Sequence, residues 1–394
     1  MRRFDTSIKD LVKAQCDYTN THGTTPIFLS DWDASFSEIS FPSLDFGFSY
    51  EEAQKYYYWT DEMNNKNSFQ KYIFDKYNYN LQLDRFALSN NGTSSLFLAM
   101  MTLYELGVKN ILVFSPAYFT LLNILDTFNF HFFEYKMPLE ITSIDYEDIK
   151  NIIKNNNIDA MVLTNPLFGT GVEINEQIVK ELAQLANIHD IWFLMDYIYG
   201  GMPWNTSNKQ IYIFNFTMYQ AISKAEKYIF IESISKRLFL NGTKFSFVFS
   251  NPRMIRRILR LSIFSIGSMS VVQAKLSNRV YEPTSERGII MHIEDNLNIA
   301  KHNFDMIKTI LSDTSAKITK TNCGYFTLVS MPNNQLANDM DIAVKLIKRY
   351  GIMTTPHSRY LYVEPNYYSF RVNLLLNKNS LFKGINVIKE LFNE

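Results

Sequence analysis

The segment IDAMVLTNPLFGTG, residues 158–171, decides the fold that we predict for this chain. Its first half is a compact apolar run without alternating polarity, which is typical of a strand covered on both faces of a sheet. Its second half is polar and rich in glycine, so it predicts a turn directly after the strand. A helical pattern at 175–189 follows. The segment therefore indicates a strand that leads through a polar turn into a helix.

The same alternation continues on both sides of this segment. Further strands are predicted at Ile111–Phe114, Ile191–Asp196, Tyr228–Glu232 and Phe245–Phe249. Helical patterns precede or separate them at Ser94–Leu106 and Tyr118–Phe128, and the first of these is apolar nearly all round, so it should be buried. Strands that alternate with helices predict βαβ units, and therefore an α/β fold with a mostly parallel sheet.

We expect three segments along the chain. Residues 1–45 look irregular and would form an N-terminal arm and part of a small domain, and residues 46–275 would form the large domain. Residues 276–394 would complete the small α+β domain. It contains the predicted strands Tyr325–Ser330 and Phe370–Leu375 around the helix Asp339–Tyr350.

Composition excludes several classes of partner. The 394 residues contain 39 basic and 39 acidic side chains, so there is no basic excess for a nucleic acid or an anionic membrane. No uninterrupted apolar run is long enough to span a membrane. Cys16 and Cys323 form no disulfide framework, and the six histidines show no ligand spacing, so we predict no metal site. A cytoplasmic location is the expectation.

Polar side chains follow three neighbouring strands of the predicted sheet. Asn165 follows the first, Asp196 ends the second with Tyr199 just beyond it, and Lys236 follows the third. In an open parallel sheet, ligands bind beyond the carboxyl ends of the strands. These side chains should therefore meet at one edge.

This set of residues suits pyridoxal phosphate (PLP). A PLP site needs a lysine for the Schiff base, a carboxylate for the pyridine nitrogen and donors for the ring oxygen. Lys236 would supply the amine and Asp196 the carboxylate, while Asn165 and Tyr199 would bond the ring oxygen. We predict PLP as the cofactor, although Asp196 could also simply cap the turn that follows it.

The phosphate would lie at the start of a helix. Gly92, Thr93 and Ser94 open the predicted helix, where free N–H groups favour an anion. Tyr118 would stack on the pyridine ring, although core packing would explain it as well. Three further polar residues would complete the phosphate-binding site: Ser233, Ser235 and Lys244.

In their order, these motifs resemble the fold-type I PLP enzymes, specifically the class I and II (aspartate aminotransferase-like) aminotransferases. The similar motifs are Asn-Pro-x-x-x-Thr-Gly at 165–171, Asp-x-x-Tyr at 196–199 and Ser-x-Ser-Lys at 233–236, and the resemblance extends from about residue 27 to 390. It implies the PLP-dependent transferase fold, with a large and a small domain, and a homodimer whose sites lie at the interface.

The resemblance also implies residues for the substrate. Arg371 would grip the α-carboxylate with its planar fork, unless it pairs with a carboxylate such as Glu364. Tyr57 or Tyr58 would reach the phosphate of the partner subunit. Trp32 lies in 30–33, where the family often has a glycine-containing substrate loop, and it would shape the substrate pocket.

The chain departs from the family pattern within its motifs, where Tyr197 stands at a position that is commonly acidic. Lys244 replaces the usual arginine, which keeps the charge but loses the bidentate fork. Ser246 replaces a glycine two residues later, and Gly169 stands where proline is usual.

The leading hypothesis is a PLP-dependent aminotransferase that moves an amino group between an amino acid, or a related amine, and a 2-oxo acid. Lys236 would act as the general base at the substrate Cα. The alternative is a PLP-dependent decarboxylase or an enzyme of β/γ-elimination or replacement, because the residues that bind PLP do not decide which Cα bond breaks. A non-catalytic sensor with the same fold is less favoured, since Lys236 and Asp196 are both present.

Overall fold

The computed structural model describes residues 8–33, 47, 49–54, 59–140, 144–204, 211, 213–265, 267, 269–333 and 338–393, without the side chains of 59–64 and 393. Tyr57 and Tyr58 lie outside these residues, so their predicted role stays a prediction. The division at residues 45 and 275 also stays a prediction.

Strands run through the described part of the chain from residue 27 to residue 373. They are β1 (Ile27–Phe28), β2 (Phe86–Ser89), β3 (Asn110–Ser115), β4 (His131–Lys136), β5 (Ala160–Thr164), β6 (Trp192–Asp196), β7 (Tyr228–Glu232), β8 (Ser246–Ser250), β9 (Lys317–Ile318), β10 (Phe326–Pro332), β11 (Ile352–Met353) and β12 (Tyr367–Asn373).

The helices of the described residues cover the sheets and connect them. They are α1 (Lys9–His22), α2 (Tyr50–Ala53), α3 (Trp59–Tyr77), α4 (Gly92–Glu105), α5 (Phe119–Thr127), α6 (Tyr146–Asn155), α7 (Glu176–Ile188), α8 (Phe216–Ile222), α9 (Pro252–Ser265), α10 (Val271–Val280), α11 (Pro283–Ile310), α12 (Asp339–Tyr350) and α13 (Lys378–Asn393). Short 3-10 helices are found at Leu83–Arg85 and His357–Tyr360.

A seven-stranded sheet forms the centre of the fold, in the order β2-β8-β7-β6-β5-β3-β4. Strands β3 to β7 pair in parallel, and β8 runs antiparallel to both of its neighbours. Every residue of β5 and β7 is buried, which is why these strands appear in the sequence as continuous apolar runs. The prediction of an α/β fold with a mostly parallel sheet is confirmed. The buried helix predicted at Ser94–Leu106 is confirmed as well and corresponds to α4.

The two chain ends meet in smaller sheets. β1 pairs in parallel with β11, 325 residues further along the chain, as the register Ile27↔Ile352 shows. β12, β10 and β9 form an antiparallel three-stranded sheet. Ile27 and Phe28 of the N-terminal segment are therefore held by the C-terminal segment.

The expectation that the first 45 residues are irregular is wrong for Lys9–His22. These residues form α1, which buries Leu11 and Ala14 and packs on α12. The helix was missed because most of its side chains are polar and tertiary packing stabilises it. Strands β2 and β4 were not predicted either. β4 lies at an edge of the sheet, where its side chains are partly exposed and give no apolar run.

The main core is rich in aromatic rings. Phe69 of α3 contacts the rings of Phe86, Phe214, Phe247 and Phe249 at centroid separations of 4.5–5.9 Å. Ring contacts of this kind fasten α3 to the sheet. None of the helices in the described residues combines the length and apolarity needed to cross a membrane.

Candidate active site

Lys236 lies directly after β7, in the turn that follows the sheet edge. Its Nζ donates to Asn241 Oδ1 at 2.7 Å and lies 5.7 Å from the centre of the Tyr199 ring. Burial lowers the pKa of the Lys236 amine to about 8, and the positive charge of Lys244 adds to this shift. The neutral form of the amine, which a nucleophile or a general base requires, is therefore far more populated near neutral pH than in an ordinary lysine.

Asp196 ends β6, with Thr164 of β5 and Ile231 of β7 beside it in the sheet register. One carboxylate oxygen accepts a hydrogen bond from the Ile198 N–H at 3.2 Å. Burial raises the pKa of Asp196 to about 6, and no cation of the described chain is among the groups that shift it. This buried carboxylate would gain a strong stabilisation from a cationic ligand.

The start of α4 forms one wall of the same space. Asn91 caps the helix, and its side chain accepts from the Ser94 N–H at 2.9 Å. Gly92 and Thr93 line the cavity, whereas Ser94 does not. A Cβ on residue 92 would collide with the Ile198 side chain, which explains why a glycine stands there. The Tyr118 hydroxyl lies 3.3 Å from Thr93 Oγ1.

The two serines before Lys236 have different surroundings. Ser235 lines the cavity, whereas Ser233 lies behind it and donates to the Phe245 carbonyl. Their hydroxyl oxygens are 2.6 Å apart. Ser233 therefore positions Ser235 and the turn rather than facing a ligand.

Asn165 does not line the cavity. Its side-chain amide donates to the Ile174 carbonyl at 3.0 Å and accepts from the Ile174 N–H at 2.8 Å. These bonds close the turn after β5 and occupy both ends of the amide. The predicted bond from Asn165 to the ring oxygen of PLP stays a prediction, and it requires this side chain to leave Ile174.

Arg371 is buried beneath Trp32, with the centre of its guanidinium 3.4 Å from the ring centre. Its Nη2 donates to the Ser30 carbonyl, and its Nε and Nη1 have no hydrogen-bond partner among the described residues. The alternative partner Glu364 forms an ion pair with Lys317 instead. Buried unpaired N–H groups are costly, so they mark a place for an anion such as a carboxylate.

Two departures from the family pattern have local explanations. Gly169 has φ +73°, and a Cβ there would lie 2.7 Å from His357 Cε1 and 3.2 Å from Arg371 Cδ. Proline cannot adopt this φ, so the backbone of this turn and the packing around Arg371 both need glycine. The Ser246 hydroxyl lies 2.6 Å from that of Ser95 and so joins β8 to the first turn of α4.

Most of the predicted residues line one cavity of about 420 Å³, whereas Arg371, like Asn165, Ser94 and Ser233, does not line it. It brings together these predicted residues: Trp32, Gly92, Thr93, Tyr118, Asp196, Tyr199, Ser235, Lys236 and Lys244. Its other lining residues include Asp33 of the predicted substrate segment 30–33, and Asn241 and Phe168, which were not predicted for the site. Phe168 lies inside the quoted motif and Asn241 lies five residues after Lys236, so nearness to a motif was the available signal.

The donor set of the cavity fits PLP. It offers an amine with a lowered pKa, a buried carboxylate, and the first residues of α4 with the cation of Lys244 in the same lining. A large, mostly parallel α/β fold with such a site at the carboxyl ends of its strands defines an enzyme of the aspartate aminotransferase type.

The chain belongs to the family Aminotransferase class I and II, whose model matches residues 53–388. It is 20% identical over 337 residues to a probable aspartate aminotransferase of Methanocaldococcus jannaschii, covering 84% of this chain and 82% of that relative. Decarboxylation and β/γ-elimination or replacement are not favoured by these matches.

Solved structures show the same fold. A mutant aspartate aminotransferase of Thermus thermophilus superposes with a TM-score of 0.79 at 15% identity, covering 99% of both chains. The aspartate aminotransferase of Thermotoga maritima superposes with a TM-score of 0.77 at 14% identity, covering 99% of this chain and 98% of that one. At such identities the likeness shows the fold alone. The chain is an aminotransferase with the fold that its motifs predicted.

Proposed function

We propose that this aminotransferase binds PLP through Lys236 and Asp196 and transfers an amino group from an amino acid to a 2-oxo acid. The observation that carries this proposal is that a lysine amine with a pKa of about 8 and a buried Asp196 without a described cationic partner share one cavity. Asp196 would hold the pyridine nitrogen in its protonated form.

The remaining cavity residues would bind the rest of the cofactor. Gly92, Thr93 and Ser235 would donate to the phosphate, and Lys244 would neutralise its charge. Tyr118 would cover the ring. Burial raises the pKa of Tyr199, so its hydroxyl stays protonated and can donate to the ring oxygen.

When bound, PLP supplies an aldehyde that condenses with amines and a ring that accepts the electron pair released at the substrate Cα. The protein's own residues do the rest. Arg371 would bind the α-carboxylate through its unpaired nitrogens and so orient the Cα. Nζ of Lys236 would then take the Cα proton, because its lowered pKa leaves it able to accept one near neutral pH.

Three further expectations belong to this proposal. The protein would act as a homodimer, with Tyr57 or Tyr58 reaching the phosphate in the partner subunit. It would work in the cytoplasm. The large domain would hold the cofactor, and the segments 1–45 and 276–394 would form the small domain around Arg371.

Absorbance spectroscopy tests the proposal. The purified full-length protein with added PLP should be yellow, and the colour should be lost on adding an amino acid and return on adding a 2-oxo acid. Lys236→Ala should abolish reversible condensation with the protein, whereas the exposed control Lys224→Ala should behave like the parent. A colourless protein that ignores added PLP would overturn the proposal.

A further inference from the structure

One aromatic ring lies near both of the groups that would hold the substrate. The Trp32 ring centre is 5.8 Å from Nζ of Lys236 and 3.4 Å from the guanidinium carbon of Arg371. If Lys236 acts at the Cα and Arg371 binds the α-carboxylate, as proposed above, a substrate must lie against Trp32. The substrate side chain therefore enters the surroundings of this ring.

These surroundings are aromatic. Trp32 contacts the rings of Phe168, Phe326 and Tyr199 at centroid separations of 5.6, 5.7 and 5.9 Å. Phe168 also contacts Tyr118 at 5.3 Å. A substrate side chain would thus lie among aromatic rings. Such surroundings favour the binding of a planar apolar side chain.

A second, smaller cavity of about 20 Å³ shares part of this wall. Trp32, Phe168 and Tyr199 line both cavities, and Phe326 lines the smaller one. The Trp32 ring thus borders both spaces, and apolar side chains continue beyond it into the smaller one.

The charges in the described lining leave no cation for a second carboxylate. The charged lining residues are Asp33, Asp196, Lys236 and Lys244. Under the proposed function Asp196, Lys236 and Lys244 serve the cofactor. Asp33, which accepts from Asn241 at 2.8 Å, would repel an acidic side chain.

We propose that the amino donors of this enzyme are aromatic amino acids rather than acidic or small ones. The inference rests on the proposed function and specifies its substrate class. Trp32 and Phe168 would hold the substrate ring, and Arg371 would hold its α-carboxylate. Discrimination comes from the apolar area that only a large side chain buries.

The test is a panel of amino donors with the PLP-loaded full-length protein. Single-turnover rates with phenylalanine, tyrosine, tryptophan, alanine, aspartate and glutamate give kcat/KM for each. Burial of an aromatic side chain is worth about 1.5–3 kcal/mol, so phenylalanine should exceed alanine by about 10- to 150-fold. Aspartate and glutamate should fall below phenylalanine by at least as much.

The outcomes separate the two proposals. Preference for aspartate, glutamate or alanine would overturn the substrate class and leave the aminotransferase mechanism standing. Failure of every amino acid to react with the yellow protein would overturn both proposals.

The variant Phe168→Leu tests whether the preference for aromatic donors depends on the Phe168 ring. Phe168→Leu should lower the ratio of kcat/KM for phenylalanine over alanine by about 5- to 10-fold, while a purely structural defect would lower both values together. The exposed Phe382→Leu is the matched control and should keep the ratio of the parent. An unchanged ratio in Phe168→Leu would contradict the assignment of this ring to the substrate side chain.

Discussion

At Lys236 three charged neighbours act on one amine. Burial has the largest effect and lowers the pKa, Lys244 and Arg371 lower it further, and Asp33 raises it. Lys244 therefore has two roles in the proposed site, since the same charge that would balance the phosphate also lowers the pKa of Lys236. An arginine at this position would supply the charge too, so the difference between the two residues lies in how they bind an anion.

The rate at which Lys236 condenses with pyridoxal, which lacks the phosphate, should rise with pH to a midpoint near 8, because only the neutral amine attacks. Lys244→Met removes a charge that lowers the pKa, so its midpoint should move to higher pH. Asp33→Asn removes a charge that raises the pKa, so its midpoint should move to lower pH. Absorbance measures the rate, and using pyridoxal excludes effects on phosphate binding.

The exposed Lys224→Met serves as the control and should keep the midpoint of the parent. Shifts of Lys244→Met and Asp33→Asn in the same direction would contradict this account of the Lys236 pKa.

How far the sequence predicted the site depends on the range of the interactions. Asp196, Tyr199, Ser235 and Lys236 were identified because each lies at the end of a buried strand or in the turn after it. The bond between Asn241 and Asp33 joins residues 208 positions apart, and no local pattern reports it. The orientation of a side chain, such as that of Asn165 towards Ile174, depends on packing in the same way.

Among the elements, β7 and the turn after it carry the reactive lysine and a buried ion pair. Lys236 faces the cavity, while the next residue, Arg237, is fully buried. Arg237 donates to the Gly200 carbonyl at 2.6 Å and to the Ile213 carbonyl at 2.9 Å, and it forms an ion pair with Glu232 at the end of β7. The ion pair and these hydrogen bonds hold the backbone of the turn that carries Lys236.

Arg237→Met should lower the free energy of unfolding by about 3–5 kcal/mol, because it leaves the Glu232 carboxylate buried without its partner. Urea unfolding followed by circular dichroism measures the change. The exposed Arg253→Met should unfold like the parent.

Combining Glu232→Leu with Arg237→Met should restore part of the lost stability, since two apolar residues replace both charges. A double variant that is less stable than Arg237→Met alone would contradict the role of the pair.

At the scale of the element, the sequence predicted the strands of the central sheet well because they are buried on both faces. β5, β6 and β7 lie within two residues of their predicted ends. β4, at the edge, and α1, with two buried side chains, carry too weak a pattern to be identified without their neighbours.

Across the whole molecule, Ser30 joins the two chain ends at the substrate arginine. Its hydroxyl donates to the Arg371 carbonyl at 2.6 Å and accepts from the Thr355 N–H at 3.0 Å. Its own carbonyl accepts from the Arg371 side chain. The position of the guanidinium therefore depends on a segment from the opposite end of the sequence.

Ser30→Ala should lower the free energy of unfolding by about 1–3 kcal/mol, because the buried Thr355 N–H loses its partner. It should also raise KM for the amino donor more than it lowers kcat, since Arg371 would bind the carboxylate before and during the reaction. Steady-state kinetics and urea unfolding measure both effects.

The exposed Ser312→Ala is the control and should match the parent in both measurements. A loss of kcat in Ser30→Ala without any change in KM would contradict the link from Ser30 to carboxylate binding.

This connection between distant residues also sets an order of events during synthesis. Ser30 and Arg371 are separated by 341 positions. A ribosome adds about 5–20 residues per second, so Ser30 is added to the chain about 20 to 70 s before Arg371. The central sheet can assemble in that interval, whereas the pairing of β1 with β11 and the setting of Arg371 must wait. The part of the enzyme that would recognise its substrate is therefore among the last parts of the fold to form.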